Sequence, residues 1–371
     1  MNCSRFYILT DHYRSGDATT NRLVAYANAL VEKGVDVEIV PISSSIIRIN
    51  TLSDKVNVNF LIQHHRFRNK IVRFAYVCHL LRKFCKKIGE NDIVYVYNSM
   101  NYLPIILKYK KDKVFHERTE CPLLDKIIYS KLYYYNLCKS VTGLFVISQS
   151  LKGFFIEKGV NADNIHIINM VVDPARFNGL IKNPDKTKYV FYCGSVGNAK
   201  DGVDCLLRVF WKYSQIYSDR KLLIAGRIVE KNAYEQYLNF ILSHNIEDKV
   251  KFLGLVTEDR IPQLIVDAEM LILTRPDNVQ AKYGFPTKLG EYLLSKNPVV
   301  ITRVGEIERF LVDKQSAFIA EPDNDDILKA MCYVSQNPQF ASEVGNNGYN
   351  VAIKYFNSTN EIDKILNIVN V

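Results

Sequence analysis

The sequence predicts an α/β protein made of two Rossmann-like domains, and three observations support that fold class. The chain has 371 residues, more than one hydrophobic core usually accommodates, so two domains of about 150 to 200 residues are expected. Short apolar runs typical of buried parallel strands alternate with helical runs. Hydrophobic residues make up 48% and charged residues 23% of the chain, the composition of an ordinary globular protein.

The first half of the chain begins as a βαβ unit. A strand is predicted at residues 6–10, a helix at 20–33 that Gly34 terminates, and a second strand at 35–40. Further apolar runs are predicted as strands, and they lie at 93–97, 113–116, 144–148 and 165–169. The predicted N-terminal domain covers residues 1–177.

A polar linker is predicted at 178–188, and another β/α series follows it in the second half of the chain. Strands are predicted at 189–193, 221–225, 250–253, 270–274 and 299–302, with helices from 203 and at 234–245. The second Rossmann-like domain is therefore predicted at residues 178–356. Two helices end the chain at 343–355 and 359–369, and Ser358 or Thr359 can cap the last one.

A glycine-containing loop follows the first strand of the second domain. It contains Gly194, Ser195, Gly197 and Lys200. Glycines let the backbone approach a diphosphate closely, a helix start offers free N–H groups, and Lys200 adds a positive charge. The spacing matches neither the dinucleotide-binding fingerprint nor the P-loop. A purely structural turn is therefore as consistent with the loop as a phosphate site is.

Arg227 directly follows another predicted strand of the second domain. Ligands of open α/β sheets bind at this end of the strands, so the guanidinium can bind a diphosphate. It can equally pair with Glu230 in the same loop as a solvated charge.

A helix is predicted to begin after Pro286 and Thr287, with Lys288 in its first turn. Glu291 lies one turn beyond Lys288 on the same face. The pair predicts either a ligand site, with the lysine on a phosphate and the glutamate on a ribose diol, or a surface salt bridge.

Polar loops also follow two predicted strands of the first domain. His116, Arg118 and Glu120 lie at the end of the strand predicted at 113–116 or directly after it, and such a density of polar side chains is unusual for a simple turn. A lone histidine at a strand end is more often structural, and that alternative stays open. The loop at 14–22 contains Gly16, Asn21 and Arg22.

Residues 284–293, Gly-Phe-Pro-Thr-Lys-Leu-Gly-Glu-Tyr-Leu, resemble the donor signature of family 4 glycosyltransferases. Residues 195–207 are similar to the phosphate loop of that family, residues 226–227 to its next donor loop, and residues 169–177 to its Val-Asp-x-x-Arg-Phe junction. The resemblance extends over most of the chain. It implies the GT-B fold, in which two Rossmann-like domains face a cleft and the last helix crosses back to the first domain. In this chain the last helix has an apolar stripe for that contact at Ile362, Ile365, Leu366 and Val369.

The resemblance also implies residue roles, with the acceptor bound by residues 1–177 plus the last helix at 357–371 and the nucleotide-sugar donor bound by residues 178–356. The implied catalytic residues are His116, Lys200, Lys288 and Glu291, and His116 would line the cleft near the donor sugar. The implied donor-binding residues are Gly194, Ser195, Gly197, Lys200, Arg227, Phe285, Pro286, Thr287, Lys288 and Glu291. The implied acceptor-binding residues are Gly16, Asn21, Arg22, Arg118 and Glu120. The chain departs from the family at Tyr283, where the first Glu of a Glu-x7-Glu pattern is expected, and at Ser195, where the phosphate loop has Arg.

The implied activity is transfer of a sugar from a nucleotide-diphosphate sugar, with UDP as the expected nucleotide, to a glycan or lipid-linked acceptor in bacterial polysaccharide biosynthesis. The family implies net retention at the anomeric carbon. We expect no metal and no other cofactor, because Lys200, Arg227, Lys288 and a helix N-terminus can neutralise the departing diphosphate. The eight cysteines form no Cys-x-x-Cys pair and the histidines no His-Glu-x-x-His motif.

The formal net charge of +9 favours partners that carry phosphate. On a helix predicted at 77–88, apolar positions lie on one side and basic positions on the other, which favours either a solvated face or contact with an anionic membrane surface. The sequence shows neither a membrane-spanning run nor a signal peptide. The expected location is cytoplasmic, with peripheral attachment to the inner face of the plasma membrane.

Two alternative functions stay open. Another GT-B sugar-nucleotide enzyme, such as an epimerase or a phosphorylase, would share the architecture. A nucleic-acid-binding protein is suggested by the basic charge and by three consecutive tyrosines at 133–135. No RNA or DNA motif accompanies them, so no nucleic-acid partner is expected.

Overall fold

The computed structural model describes residues 5–42, 47, 49–62, 67–183, 188–197 and 200–370. The chain divides into two compact units. Unit 1 consists of Met1–Val171 and Ser358–Val371, and unit 2 consists of Val172–Asn357. The first boundary lies within the segment that resembles the family junction, whereas the sequence placed it before residue 178.

Unit 1 is built on a parallel sheet. Its strands are β1 Phe6–Thr10, β2 Val37–Pro41, β3 Asn57–Val58, β4 Ile93–Tyr97, β5 Val114–Arg118, β6 Gly143–Val146 and β7 Ile165–Ile167. Within the described residues the sheet has seven strands in the order β3-β2-β1-β4-β5-β6-β7. The order reverses between β1 and β4, and the carboxyl ends of strands beside such a reversal are the usual ligand site of open α/β sheets.

Helices cover the two faces of the sheet in unit 1. Their bounds are α1 Ala18–Glu32, α2 Lys70–Cys85, α3 Leu103–Tyr109, α4 Lys131–Lys139 and α5 Gln149–Glu157. Several begin where the sequence supplies an N-cap. The side chains of Asp17, Ser130 and Ser148 accept hydrogen bonds from backbone N–H groups in the first turns of α1, α4 and α5. Such caps satisfy donors that a helix start leaves unpaired.

Unit 2 is built on a second parallel sheet. Its strands are β8 Tyr189–Cys193, β9 Lys221–Ala225, β10 Val250–Gly254, β11 Met270–Leu273, β12 Val299–Thr302 and β13 Phe318–Ala320. The part of the chain that the structure describes gives six strands in the order β10-β9-β8-β11-β12-β13, with the reversal between β8 and β11. The loops after β8 and β11 therefore meet at the expected ligand site of this unit.

The helices of unit 2 are α6 Val203–Ile216, α7 Lys231–Ser243, α8 Ile261–Asp267, α9 Val279–Tyr283, α10 Lys288–Leu294, α11 Asn324–Gln336 and α12 Pro338–Tyr355. Helix α6 buries Val203, Leu206, Phe210 and Tyr213, which recur at the three-to-four-residue spacing of one helix face. The predicted linker is partly anchored to this unit, because the Lys182 ammonium group donates to the Ala268 carbonyl at 2.7 Å. Linker residues 184–187 lie outside the described residues.

The last helix, α13 Ser358–Val369, belongs to unit 1. Ile362, Ile365 and Val369 are fully buried in the core of that unit, and Leu366 packs against the same cluster. The Asn169 backbone N–H donates to the Glu361 carboxylate at 2.9 Å. The prediction that an apolar stripe of the last helix packs on the first domain is confirmed.

Two predicted boundaries were wrong. Strand β5 continues to Arg118, so His116 lies inside the strand and not at its end. Helix α2 ends at Cys85, so Ile88 lies beyond the helix, and the buried positions of α2 are Val77, Leu81 and Cys85. Among the helices in the described residues, none combines the length and apolar composition that a membrane span requires.

Candidate functional site

The glycine loop of unit 2 is held against the loop that follows β9. The Gly194 N–H donates to the Ala225 carbonyl at 2.8 Å, and the Val196 N–H donates to the Arg227 carbonyl at 2.8 Å. Ser195 is half-buried and its carbonyl accepts a hydrogen bond from the Tyr192 hydroxyl at 3.2 Å. These bonds fix Gly194 and Ser195 beside the carboxyl end of β8. Gly197 is buried in the same loop, whereas residues 198 and 199 lie outside the described part of the chain.

Two glycines allow this loop to approach its neighbours. Gly226 has a φ of 143°, and a Cβ there would lie 1.7 Å from the Gly194 carbonyl oxygen. Gly202, at the N-terminus of α6, has a φ of 66°, and a Cβ there would lie 2.0 Å from the Thr274 carbonyl oxygen. Any larger residue at either position would push the loop away from the strand ends. The glycines therefore fix the shape of the site.

Lys288 lies directly over the glycine loop. A Cβ built on Gly194 would lie 2.7 Å from its Cε atom, and its ammonium group is 3.5 Å from the Asp201 carboxylate. Burial alone would raise the pKa of Asp201, but the positive charges of Lys288, Lys200 and Arg275 outweigh burial and hold the pKa below its ordinary value. The site thus concentrates positive charge around a single buried carboxylate. Lys200 is half-buried in the same loop.

Glu291 forms an ion pair with Arg176, which was not predicted as a site residue. The Arg176 guanidinium pairs with Oε1 of Glu291 and also donates to the Glu258 carbonyl at 3.0 Å. Within the described residues, Lys288 and Glu291 do not form an ion pair with each other, because Lys288 pairs with Asp201 and Glu291 pairs with Arg176. The predicted surface salt bridge between them is therefore wrong, and each side chain is oriented independently.

The other predicted donor residues have different environments. Phe285 is buried against Phe310 and Phe356, with ring centroids at 5.4 and 5.6 Å, so it supports the loop from its core side. Pro286 is buried, and Thr287 precedes α10 without capping it through its side chain. Arg227 is exposed to solvent after β9.

A polar pocket of about 280 Å³ lies in unit 1 at the carboxyl ends of β1, β4 and β5. Arg118 and Glu120, both predicted from the sequence, line it. The other side chains that matter for its chemistry are Asp11, Asp17, Asn98, Ser99 and Asp125. This lining is rich in carboxylates, which accept hydrogen bonds from hydroxyl groups and repel phosphates.

Arg118 organises this pocket. Its guanidinium donates to the Asn98 side chain at 2.9 Å and to the Glu120 carbonyl at 3.0 Å, and it pairs with Asp125. Burial raises the pKa of Asp125, and the charge of Arg118 opposes that effect. The side chain of Arg118 is 2% exposed, so it positions its neighbours more than it contacts solvent.

His116 is buried away from the pocket, which corrects its predicted place in a cleft. Its Nδ1 lies 2.9 Å from the Val96 carbonyl oxygen and its Nε2 lies 2.8 Å from the Tyr134 hydroxyl. A carbonyl can only accept, so Nδ1 donates and Nε2 accepts in a neutral ring. Burial, with a smaller contribution from Arg118, lowers the pKa of His116 to about 3. Both ring nitrogens are therefore occupied and the ring is uncharged at neutral pH.

Arg22 is also in the core of unit 1 and not in a surface loop. Its guanidinium donates to the Glu117 carboxylate at 2.9 and 2.6 Å and to the Asn169 carbonyl at 2.8 Å. The side chains of Arg22 and Glu117 are 2% and 0% exposed. Gly16 lies in the loop before α1 with a φ of 73°, and Asn21 is half-buried in α1. Of these three residues, Arg22 has a structural role in this fold.

Apart from Glu120, the acidic side chains of the pocket were not predicted as site residues, and neither was Arg176. Asp11 and Asn98 each directly follow a strand of the sheet, and this position was the available signal. Arg176 lies in the junction segment, but its partner is far away in the sequence. Among the described residues, no group of three His, Cys, Asp or Glu side chains is arranged to hold a metal ion.

The second unit matches a known protein family. Residues 179–351 fit the family model described as "Glycosyl transferases group 1". A comparison with curated proteins found no match.

Solved structures similar to the whole chain have the GT-B fold. The structure of Anabaena HepE in complex with UDP and glucose is 15% identical, aligns over 99% of both chains and has a TM-score of 0.79. A glycosyltransferase from Rickettsia africae is 17% identical over 100% of this chain and 98% of that chain, with a TM-score of 0.78. Sucrose-phosphate synthase from Thermosynechococcus elongatus is 12% identical over 99% and 98%, with a TM-score of 0.77.

These similarities confirm the predicted fold class. The two parallel sheets, their strand orders and the position of α13 agree with the GT-B architecture. Residues 179–351 match the model of group 1 glycosyl transferases, and this match identifies the chain as a glycosyltransferase.

Proposed function

We propose that this protein is a retaining glycosyltransferase of the family 4 type, which transfers a sugar from a UDP-sugar to a glycan or lipid-linked acceptor in bacterial polysaccharide biosynthesis. One observation carries the proposal. Lys288 lies over Gly194 at the end of β8, while Glu291, one turn further along α10, is oriented by Arg176. A cation beside a backbone loop and an oriented carboxylate are the groups that a nucleoside diphosphate requires.

The donor would be bound by the charges of unit 2. Lys288, Lys200 and Arg227 would neutralise the diphosphate, and Oε2 of Glu291 would accept hydrogen bonds from the ribose hydroxyls while Oε1 stays paired with Arg176. Uridine as the base is supported by Anabaena HepE, which was solved in complex with UDP and glucose, and by TarM of S. aureus, which was solved in complex with UDP.

The proposed reaction exchanges one bond at the anomeric carbon for another on the same face. The bond to the diphosphate oxygen breaks, the acceptor oxygen bonds to the anomeric carbon, and the hydroxyl proton passes to the departing diphosphate. Asp201 and Glu291 are each held in an ion pair, so neither is set up as a nucleophile. The stabilisation of the diphosphate by preorganised cations would supply most of the rate enhancement, and no metal ion is required.

The acceptor hydroxyl groups would be bound in the polar pocket of unit 1. Its carboxylates suit a polyhydroxylated ligand, and Arg118 keeps them in place. Acceptor binding by the pocket that Arg118 and Glu120 line is therefore kept as a proposal. The catalytic role predicted for His116 loses its support, because the ring is buried and fully bonded.

Two observations bear on the alternative partners. Of the three consecutive tyrosines, Tyr133 is exposed but Tyr134 and Tyr135 are buried in unit 1, so the run does not offer the row of exposed rings on which a nucleic-acid-binding protein stacks successive bases. The guanidinium of Arg82 on α2 lies 5.5 Å from the centroid of the Tyr109 ring. Lys83 near the end of α2, and Lys86 and Lys87 directly after it, are exposed to solvent. We propose a peripheral contact of unit 1 with an anionic membrane surface.

The proposed function is tested with nucleotides and then with sugars. We expect UDP to raise the melting temperature more than GDP or ADP, because a ligand that binds the native state stabilises it by mass action. Incubation with UDP-sugars and candidate acceptors should release UDP and give a product with the donor's anomeric configuration by NMR. An inverted product would exclude retention, epimerised free donor would favour the alternative enzyme class, and the absence of any nucleotide binding would exclude the donor site.

A further inference from the structure

An apolar groove of about 850 Å³ lies on unit 1 between α2, α3 and α4. Phe74 and Cys78 of α2, Ile105 and Leu107 of α3, and Leu137 of α4 line it. The groove is about three times as large as the polar pocket, by volumes of 850 and 280 Å³. An open apolar groove of this size on a globular protein marks a binding surface.

Exposed aliphatic and aromatic side chains line the groove or lie on two of the helices that form it. Ile128 and Tyr133 line it and are 62% and 47% exposed. Leu132 on α4 is 71% exposed, and Ile71 and Val72 on α2 are 78% and 55% exposed. Transfer of such a side chain out of water lowers the free energy, so the exposed Ile128 and Tyr133 in the lining favour an apolar ligand.

The charge of the groove selects the kind of apolar ligand. Lys108 and Lys111 line it, and no carboxylate is among the described residues of its lining. Both lysines are exposed. The ligand is therefore an amphiphile whose hydrocarbon part contacts the groove and whose charged part is anionic, as a lipid phosphate is.

The groove adjoins the polar pocket. Asn101 lines both, and its side-chain oxygen accepts a hydrogen bond from the Ile128 N–H at 3.0 Å, which places Ile128 at the same boundary. A molecule with its hydrocarbon chain in the groove can extend its polar part past Asn101 to the carboxylates of the pocket. Apolar and sugar-binding surfaces are thus adjacent within unit 1.

We propose that the groove binds the hydrocarbon chain of the acceptor, which is an anionic lipid that carries a hydroxylated head. This inference rests on the proposed function, because it narrows the acceptor from glycans and lipids to lipids with a phosphate. Lys108 and Lys111 bind the phosphate, the apolar lining contacts the chain, and the polar pocket receives the head group.

Two of the half-buried thiols, Cys78 and Cys332, provide a test in the unmodified protein. Cys78 lines the groove, Cys332 lies in unit 2, and burial raises the pKa of both thiols. Alkylation at each thiol is followed by peptide mass spectrometry, with dodecyl phosphate as the probe. At about ten times its dissociation constant, the probe should slow alkylation of Cys78 about tenfold. The rate at Cys332 should not change, and inorganic phosphate should protect neither thiol.

Variants test the chain site and the phosphate site separately. Ile128→Asp should weaken dodecyl phosphate binding by about tenfold, the effect of removing one buried aliphatic contact. Its matched control is Leu242→Asp on α7, which replaces a 57% exposed side chain in unit 2. Lys108→Glu with Lys111→Glu should weaken the binding of dodecyl phosphate while the binding of uncharged dodecyl maltoside stays the same.

Several results would overturn the proposal. Equal alkylation rates with and without dodecyl phosphate, or unchanged binding in Ile128→Asp, would exclude a hydrocarbon site. Equal binding of the charged and uncharged amphiphiles would exclude an anionic lipid. Calorimetric measurement of UDP binding distinguishes a failure of the lipid site from a failure of the donor site. A protein that binds UDP but not dodecyl phosphate has the proposed donor site and lacks the lipid site. A protein that binds only dodecyl phosphate has the lipid site without the proposed donor function.

Discussion

Arg176 and Glu291 form an ion pair within unit 2, although 115 residues separate them in the sequence. The side chains are 11% and 16% exposed, so the pair is largely shielded from water and keeps a fixed geometry. Arg176 contacts one oxygen of the carboxylate and the Glu258 backbone. Arg176 is thus a positioning residue for the proposed ribose contact.

Glu291→Ala should weaken UDP binding by about 1.5 to 3 kcal/mol, the worth of hydrogen bonds to a charged group. Arg176→Ala should give a smaller loss of the same kind, and Arg176→Lys should restore part of it because the ion pair can re-form. Isothermal calorimetry measures the binding, with Arg309→Ala, at an exposed ion pair of unit 2, as the control. If folded Glu291→Ala protein binds UDP normally, the ribose assignment is wrong.

Lys288→Ala should weaken UDP binding by about 1.5 to 3 kcal/mol and should also lower the melting temperature. The second effect arises because Asp201, whose side chain is 5% exposed, loses its partner at 3.5 Å. The double variant Lys288→Ala with Asp201→Asn should recover melting without recovering UDP binding. Equal UDP affinity in wild-type and Lys288→Ala proteins would show that this lysine has only a structural role.

His116 should make the stability of unit 1 sensitive to acid. Folding lowers the pKa of His116 from 6.5 to about 3. Between these pH values the imidazole is protonated in the unfolded chain and neutral in the folded chain, so acid favours unfolding. Stability from this group is complete above pH 6.5 and declines by about 1.4 kcal/mol per pH unit down to about pH 3. Denaturant titrations should show a shallower decline for His116→Gln, with His79→Gln at an exposed position of α2 as the matched substitution. Identical slopes for wild type and His116→Gln contradict the prediction.

Transfer activity should persist in EDTA. Lys200, Lys288 and Arg227 would supply the positive charge that a divalent ion supplies in other phosphate sites. The measurement is the initial rate of UDP release before and after chelation, followed by addition of manganese or magnesium. Loss of activity in EDTA that either metal reverses would contradict metal independence.

Deleting Thr359–Val371 should destabilise unit 1 by several kcal/mol. The deletion removes Ile362, Ile365 and Val369 from the core, and each buried aliphatic side chain contributes about 1.5 to 3 kcal/mol. Asn367→Ala, on the exposed face of α13, should leave the melting temperature unchanged. Unchanged melting after the deletion would show that the helix does not support the core.

Local sequence patterns were sufficient for much of the fold. The predicted bounds of β1, β4, β8, β9 and β12 agree with the structure, because each is a continuous apolar run with turn residues on both sides. Two of the edge strands of the described sheets, β3 and β13, were not predicted. They have two and three residues, too few to show a period, whereas β7, also three residues long, lies in a longer apolar run that was predicted as a strand.

The site was less accessible to sequence reasoning because its ion pairs join distant residues. Nothing near Arg176 indicates Glu291, and nothing near Arg22 indicates Glu117, since both pairs depend on how strands and helices pack. The strand predicted at 113–116 ended before Glu117, so the requirement of a buried carboxylate for a cationic partner gave no signal at this position.

The place of α13 in unit 1 has a consequence for protein synthesis. The N-terminal part of that unit leaves the ribosome first, but its core lacks Ile362 and Ile365 until the last helix emerges. At about 5 to 20 residues per second, translation of the intervening unit takes roughly 10 to 40 seconds. During that interval unit 2 can close its own core while the apolar face that α13 will cover stays open. The nascent N-terminal half is therefore the part of this enzyme that needs protection by chaperones.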